Sequence, residues 1–544
     1  MPQVINESEI EEQLREYEAS LRKSFGVKPA SGQHYMRPVE RAFKSTERGK
    51  TTILFGGLTR THDYVLRAAA AGVGYNVLEL PTPDNEALAI GKEFGNRGQC
   101  NPTYYTVGNL VKYLQHLRDD GIVDIEEKFV FLTAGACGPC RFGMYEAEYR
   151  KALTDAGFQR FRVLILQQTG GLAEGGKLGH AEEDDGLKFN ATFYIAVVRG
   201  LIASDLVNQM AQRIRPYEVV PGATDEAVTK AREMLAESFT QQKSIWLTLR
   251  RIRKLFDDVK VDFTRPKPRV QIIGEFWAQT TEGDGSYRLR SWLESEGAEV
   301  VTEPISTWID YILWSAIGKQ RERLGLRPGA RKRLLALLFG VRLYKSFYTF
   351  YRSSFGFLTD PLVSQRELAK KAESYYNPRI GGGEGHMEVG KHILAFEKKK
   401  AHMVTSIKPF GCMPSTQSDG VQSKVIADVK DSIFIPIETS GDGEINIKSR
   451  VQMKLYEAKV RAREELARAL DDYDVTLEEV QAYVAAHPKL QRPMQKLPHE
   501  YTGVAANFVA MVARQMPHRR WYRRLGTQKR SAATPPPVSS SGGG

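Results

Sequence analysis

From residue 51 onward the chain alternates short apolar runs with stretches of helical period. "TTILFGG", "YNVLEL", "KFVFLTAG" and "RFRVLILQQ" are short and rich in β-branched and aromatic residues, which predicts strands. Between them "DYVLRAAAAGV", "DNEALAIGKEFG" and "YYTVGNLVKYLQHLRDDG" place apolar residues at helical spacing. After the punctuation "TRPKPR" the alternation starts again. Strands are expected at "RVQIIGEF", "AEVVTE", "AHMVTSIKPFGC" and "SIFIPIE", and helices at "SYRLRSWLESEG", "GEGHMEVGKHILAFEKKK" and "GVQSKVIADVKD". Strands alternating with helices predict an α/β protein built on two doubly wound parallel-sheet domains. The expected organisation is a helical arm and linker over 1–48, a first α/β domain with a helical extension over 49–265, and a second over 266–448. That second domain is interrupted by a basic helical insertion at 307–376. A helical C-terminal extension over 449–530 and a disordered tail over 531–544 complete the chain.

Length and composition agree with several domains. A chain of 544 residues exceeds one ordinary core, and 42% hydrophobic with 26% charged residues describes a globular protein rather than a mainly disordered one. No run of about 18 apolar residues stands out as a bilayer span, so no membrane partner is expected. The acidic, helix-patterned start "MPQVINESEIEEQLREYEAS" lacks the form of a signal peptide, and a cytoplasmic location is the expectation. The net charge of +12 attracts phosphates of any kind, but it gathers in "RRIRKLFDDVK", "GKQRERLGLRPGARKRLLALLFGVRLYK" and "RQMPHRRWYRRLGTQKR", where apolar residues recur at helical intervals. Solvated or docking helix faces are expected there. A nucleic-acid partner is not, because acidic stretches intervene and no nucleic-acid-binding fold is evident.

The chain has four cysteines. Cys137 and Cys140 form a CxxC between a predicted strand and helix, Cys100 precedes another helix, with Pro102 suited to its first turn, and Cys412 ends a strand of the second domain. Such thiols can ligate an iron-sulfur cluster, hold zinc, act as a thioredoxin-like redox pair, or be inert. A redox pair leaves Cys100 and Cys412 unexplained, whereas a metal centre uses all four. Gly135 before the CxxC, Gly138 within it, and Gly411 before Cys412 would let the backbone approach a buried anionic cofactor.

Three other stretches carry candidate chemistry. "GGLAEGGKLGH" matches phosphate-loop spacing through Gly171, Gly176 and Lys177, but Leu178 stands where a magnesium-binding Ser or Thr is needed, so a loop lining the site is the better reading. "GEFWAQTTEGDGSYR" brings Glu275, Trp277, Thr280, Thr281, Glu282 and Asp284 to a strand end. "GGGEGHMEVG" offers Glu384, His386 and Glu388, of which Glu384 and His386 are candidate proton-transfer residues.

The segments "GQCNPTYYTVGNLVKYL", "FLTAGACGPCRFGMYEAEYRKALTDAGF", "IIGEFWAQTTEGDGSYRL", "GEGHMEVGKHI" and "KPFGCMPSTQSDGV" resemble the cluster-bearing component of the 2-hydroxyacyl-CoA dehydratase and benzoyl-CoA reductase superfamily. The nearer branch is that of activator of 2-hydroxyglutaryl-CoA dehydratase, or CoA-substrate-specific enzyme activase-related proteins. The resemblance implies two α/β domains facing a cleft, with a [4Fe-4S] cluster held by Cys100, Cys137, Cys140 and Cys412. The resemblance admits two arrangements, one with all four thiols as ligands and one in which Cys140 only supports Cys137 and one iron stays open. It further implies a separate ATP-dependent activase with its own cluster as electron donor, an acyl-CoA substrate and a homo- or heterodimer. The alternative is a non-catalytic electron-transfer or cluster-scaffold subunit that docks another enzyme.

Overall fold

The computed structural model describes residues 44–47, 49–135, 140–167, 191–381 and 383–516, with scattered positions between 12 and 24. The chain forms two units, Met1–Arg41 and Ala42–Gly544. The described positions of the first are helical and exposed. In the second, two four-stranded sheets are present, and every pairing within them is parallel.

The first sheet comprises β1 (Thr52–Phe55), β2 (Val77–Glu79), β3 (Phe129–Gly135) and β4 (Arg162–Gln167), in the order β2-β1-β3-β4. The second comprises β5 (Arg269–Gly274), β6 (Glu299–Thr302), β7 (Met403–Pro409) and β8 (Ile433–Thr439), in the equivalent order β6-β5-β7-β8. The repeat of pattern along the sequence is therefore a repeat of topology.

In the first half, helices α1 (Arg60–Ala71), α2 (Asn85–Phe94), α3 (Asn101–Asp119) and α4 (Tyr145–Asp155) connect the strands. Alternate strand residues point to opposite faces, as the period of two requires. Leu54, Phe131, Val163 and Ile165 pack with Leu110 of α3 and Tyr149 of α4, while Ile53 and Val130 pack with Ala70 of α1 and Phe193. Phe193 belongs to α5 (Ala191–Ile214), which is followed by α6 (Ala223–Thr240) and α7 (Ile245–Asp257).

The second half begins with the short helix α8 (Phe276–Thr280) directly after β5, then α9 (Leu289–Ser295). The basic insertion is a pair of long helices, α10 (Ile305–Glu322) and α11 (Ala330–Ser354), followed by α12 (Gln365–Ala372). Then come α13 (Gly385–Glu397), α14 (Met413–Asp428) and the 30-residue α15 (Glu444–Tyr473), with α16 (Leu477–Ala486) and α17 (Val504–Ala513) beyond. Val270, Ile272, Met403 and Ile435 pack on α9 and α15, and Ile273, Val404 and Phe434 on Ala395 of α13.

The largest apolar cluster is helical. Leu206 and Met210 of α5, Leu235 of α6, Leu249 and Ile252 of α7, Tyr348 of α11, Leu466 of α15 and Phe508 of α17 share it. This cluster explains one departure from the sequence reading. Ala191–Tyr217 is long and apolar enough to cross a membrane by length and composition, yet 56% of its most apolar window is buried in the fold. Its Asp205 carboxylate is buried too, accepting from His62 Nε2 at 3.1 Å and from the backbone N–H groups of Ile305 and Ser306 at 2.8 Å each. A core helix that carries and satisfies its own buried charge needs no lipid.

Candidate functional site

Cys100, Cys140 and Cys412 line one cavity of about 670 Å³, together with Glu275 and Glu384. The loops that follow strands of both sheets build it: Gly56–Leu58 after β1, Leu80 and Pro83 after β2, Cys140–Phe142 after β3, Glu275–Trp277 after β5, and Pro409–Pro414 at the end of β7. These are carboxyl ends of parallel strands, where helix N-termini and variable loops meet. Cys137 and Gly138 lie outside the described residues, as does the glycine-rich stretch 170–180.

Each described thiol sits just before a helix. Cys100 is the residue preceding α3, Cys412 precedes α14, and Cys140 precedes a single 3₁₀ turn, Arg141–Met144, leading into α4. Prolines at the first turns of α3 and α14 fit there because those positions have no intrahelical acceptor for an N–H. The sequence reading placed Pro102 in the first turn of α3 but began α14 several residues late, at Gly420.

Three loops are tied together around the thiols. Asn101 N–H donates to Phe410 O at 3.2 Å, and Asn101 Nδ2 donates to Thr439 O at 2.7 Å. Arg141 donates to Gly98 O, drawing the Cys140 turn over the Cys100 loop. Gly411 has φ +77°, and a Cβ there would stand 3.5 Å from the Cα of Cys100. A glycine is thus what lets the second sheet's loop turn beside the first sheet's thiol. Gly135 closes β3 and pairs with Gln167, two positions before the undescribed 137.

The surroundings of Cys140 and Cys412 disfavour bare thiolates. Burial pushes the Cys140 thiol up to about 12, with the carboxylates of Glu384 and Glu275 adding to the rise. Burial, then Glu275, raises Cys412 as well. Cys100 Sγ lies 3.1 Å from Tyr145 Oη and 3.4 Å from Thr103 Oγ1. Cys412 Sγ donates to Ser415 Oγ at 3.4 Å, and Ser415 Oγ in turn donates to the buried Glu388 at 2.7 Å, with Ser418 donating to its other oxygen at 2.6 Å. A low-pKa redox thiol needs an electropositive setting. At Cys140 and Cys412 the opposite holds, and they ionise readily only against added positive charge.

The two cavity carboxylates converge on one helix end. Glu275 Oε2 accepts from Ala278 N–H at 2.8 Å, and Glu384 Oε1 accepts from Phe276 N–H at 2.9 Å, so both cap α8. Burial raises both, Glu275 to about 7 and Glu384 to about 8, and the charge of Glu275 adds to the rise of Glu384. Both carboxylates therefore hold a proton more readily than exposed ones do, at the wall of the cavity.

His386 does not join this arrangement. It is fully buried between the rings of Tyr311 and Trp314, and among the described residues neither ring nitrogen has a hydrogen-bond partner. Burial lowers its pKa to about 4, and it is not among the cavity's lining residues. Glu384 and His386, neighbours in sequence, are thus parted: the helix start turns one toward the cavity and the other into the packing beneath.

Elsewhere the wall is apolar and aromatic, including Val77, Phe131, Trp277, Trp308 and Ile312, with Lys319 and Arg323 of the α10 end also on the lining.

No protein-family model matches the chain, and no curated protein matches it.

Tyr145, Arg141, Ser415 and Glu388 acquire their places only in the folded chain. Ser415 and Ser418 follow Cys412 at helical spacing, which is the one local signal that could have marked them.

Proposed function

We propose that this protein is an iron-sulfur protein resembling the electron-accepting component of 2-hydroxyacyl-CoA dehydratases, with a [4Fe-4S] cluster at the thiol-lined cavity. The observation that carries the reading is the convergence of Cys100 and Cys140 from the first sheet with Cys412 from the second on one cavity. Cys137, of the same CxxC, is the fourth candidate ligand. The donor chemistry fits such a group, since thiols raised by burial and by neighbouring carboxylates gain from cationic irons that stabilise the thiolate form. Among the described residues no three His, Cys, Asp or Glu side chains are close enough to close on one metal ion.

In this reading the two sheets are doubly wound domains facing a cleft, and a cluster held by Cys100, Cys137, Cys140 and Cys412 would supply low-potential electron chemistry, with a separate ATP-dependent activase as the electron donor. The chain's own residues do the rest. Glu384 and Glu275 hold or release a proton at the cavity, the aromatic wall excludes water, and Tyr145 Oη supports the Cys100 sulfur. An acyl-CoA is the substrate class this reading takes from the family, and the aqueous cell interior is its compartment.

The test is anaerobic reconstitution with iron, zinc and acid-labile sulfide analysis, followed by electron paramagnetic resonance after reduction. About four irons and four sulfides per chain, falling in Cys100→Ser and Cys412→Ser, are expected. Unchanged iron and sulfide content in both variants, or zinc in place of iron, would overturn the reading. Cys140→Ser decides the variant in which the chain only carries electrons: full ligation by four thiols favours that role, and an intact cluster without Cys140 favours an open iron that binds substrate.

A further inference from the structure

Helix α11 is apolar on two opposite faces, and only one of them is covered. Tyr344, Tyr348 and Tyr351 face inward, where their hydroxyls bond to Ser306 O at 3.0 Å, to Asp360 O at 3.2 Å and with Arg199 Nε at 3.0 Å. The outward face carries Leu335, Phe339, Leu343 and Phe350, which are 67%, 70%, 48% and 52% exposed. Positions 335, 339, 343 and 350 recur at helical spacing and so form one stripe, about 22 Å long at 1.5 Å per residue. Leu326, in the turn before α11, is 81% exposed.

The charge around this stripe has one sign. No Asp or Glu occurs from residue 323 to 359, a stretch holding eight Lys or Arg residues. Lys345 pairs with the buried Asp310 at 3.1 Å, whereas among the described residues Arg331, Lys332, Arg333 and Arg342 have no ion-pair partner. The neighbouring α7 extends the surface. Trp246 stacks on Phe350 with ring centroids 5.8 Å apart, Leu247 is exposed, and Arg250, Arg251 and Lys254 are exposed on the same helix.

We infer that this face binds the surface of an anionic lipid membrane, with Leu335, Phe339 and Leu343 entering between headgroups that the flanking cations contact. A helix with exposed Leu and Phe side chains set among Lys and Arg is the form that lies in a bilayer interface, and anionic leaflets supply the complementary charge. A second copy of the chain is disfavoured, since it would oppose one acid-free cationic face with another. A nucleic acid would use the cations and leave the apolar stripe in water. An acidic protein would need pockets for side chains that here stand clear of their neighbours. The inference is independent of the cluster reading, and it departs from the expectation of no membrane partner, which rested on spanning segments alone.

The test is co-sedimentation of the full-length protein with phosphatidylcholine vesicles, with and without phosphatidylserine. Binding is expected only to the anionic vesicles and should weaken with salt. Each charge removed in Arg331→Gln, Lys332→Gln and Arg333→Gln is expected to weaken it about fivefold. The pair Leu335→Ser, Phe339→Ser is expected to weaken it about tenfold or more with the charge unchanged. Both variants alter exposed positions, and circular dichroism checks that the fold is kept. Trp246 fluorescence should shift to the blue on binding. Absence of binding to anionic vesicles overturns the inference. So does binding that the apolar pair leaves unchanged, which would mark a general polyanion surface, and so does capture of soluble poly-glutamate in preference to vesicles, which would mark an acidic protein as the partner.

Discussion

Replacing Gly274 by alanine tests how the second sheet places the site. Gly274 ends β5 with φ +123°, a conformation that side chains other than hydrogen rarely adopt, and it pairs with Ile407 of β7. A Cβ at this position would lie 1.9 Å from Ile407 O and 2.7 Å from both C and N of the same residue. All three are backbone atoms inside a parallel pairing, so no side chain can turn aside. Reaching ordinary contact requires β7 to retreat by about 1.5 Å at this point. That retreat breaks the bond from Glu275 N–H to Ile407 O, now 2.9 Å. The backbone conformation costs about 1–3 kcal/mol for a residue with a Cβ, and the lost bond with its buried N–H about another 1–3 kcal/mol. A destabilisation of about 2–6 kcal/mol is therefore expected, a large share of ordinary domain stability. Because the same movement shifts Glu275 and the strand leading to Cys412, iron uptake should fall even under conditions where the variant stays folded. Urea denaturation followed by circular dichroism measures the first effect, and iron analysis after anaerobic reconstitution measures the second. A Gly274→Ala protein within about 1 kcal/mol of the parent, with full iron uptake, would refute this account of the strand junction.

Burial raises both Glu275 and Glu384 above the ordinary glutamate range, so the folded chain holds protons that the unfolded chain releases. Its stability should consequently fall as pH rises from about 5 to about 8, and Glu384→Gln, which keeps an acceptor for Phe276 N–H, should flatten that slope; an unchanged slope in denaturation curves across this range would count against the carboxylate pair. Asp205→Ala leaves buried His62 and the Ile305 and Ser306 N–H groups without their acceptor, for an expected loss of about 3–5 kcal/mol by thermal or chemical denaturation. Asn101→Ala removes the bond to Thr439 O, but that carbonyl keeps Phe410 N–H at 2.9 Å, so the loss in stability should be only about 1 kcal/mol. Iron retention during gel filtration should suffer more than stability does, because this bond ties the Cys100 loop to the end of β8, to which Phe410 of the Cys412 loop is also bonded.

The local pattern of the sequence was enough to locate all eight strands of the described residues and most of their helices. Strand and helix periods arise from backbone sterics between near neighbours, so residues such as Val130, Phe131 and Leu132 announce a strand whatever lies across from them. The same holds for the thiols' placement at strand and helix ends, which Pro102 and the strand before Cys412 already mark. The tertiary structure alone decided which groups meet. Cys100 and Cys412 come together because Asn101, Phe410 and Thr439 bond across the two sheets and Gly411 lets the loop pass. Glu275 meets Glu384 because both cap α8, while His386, two residues from Glu384, is carried into an aromatic packing by the turn of α13. The sequence likewise places apolar residues on two opposite faces of α11, but does not show which of them its neighbours cover. Period is a property of consecutive residues, whereas coverage and convergence depend on segments hundreds of residues apart in the chain, whose relative placement is set by how their buried faces pack.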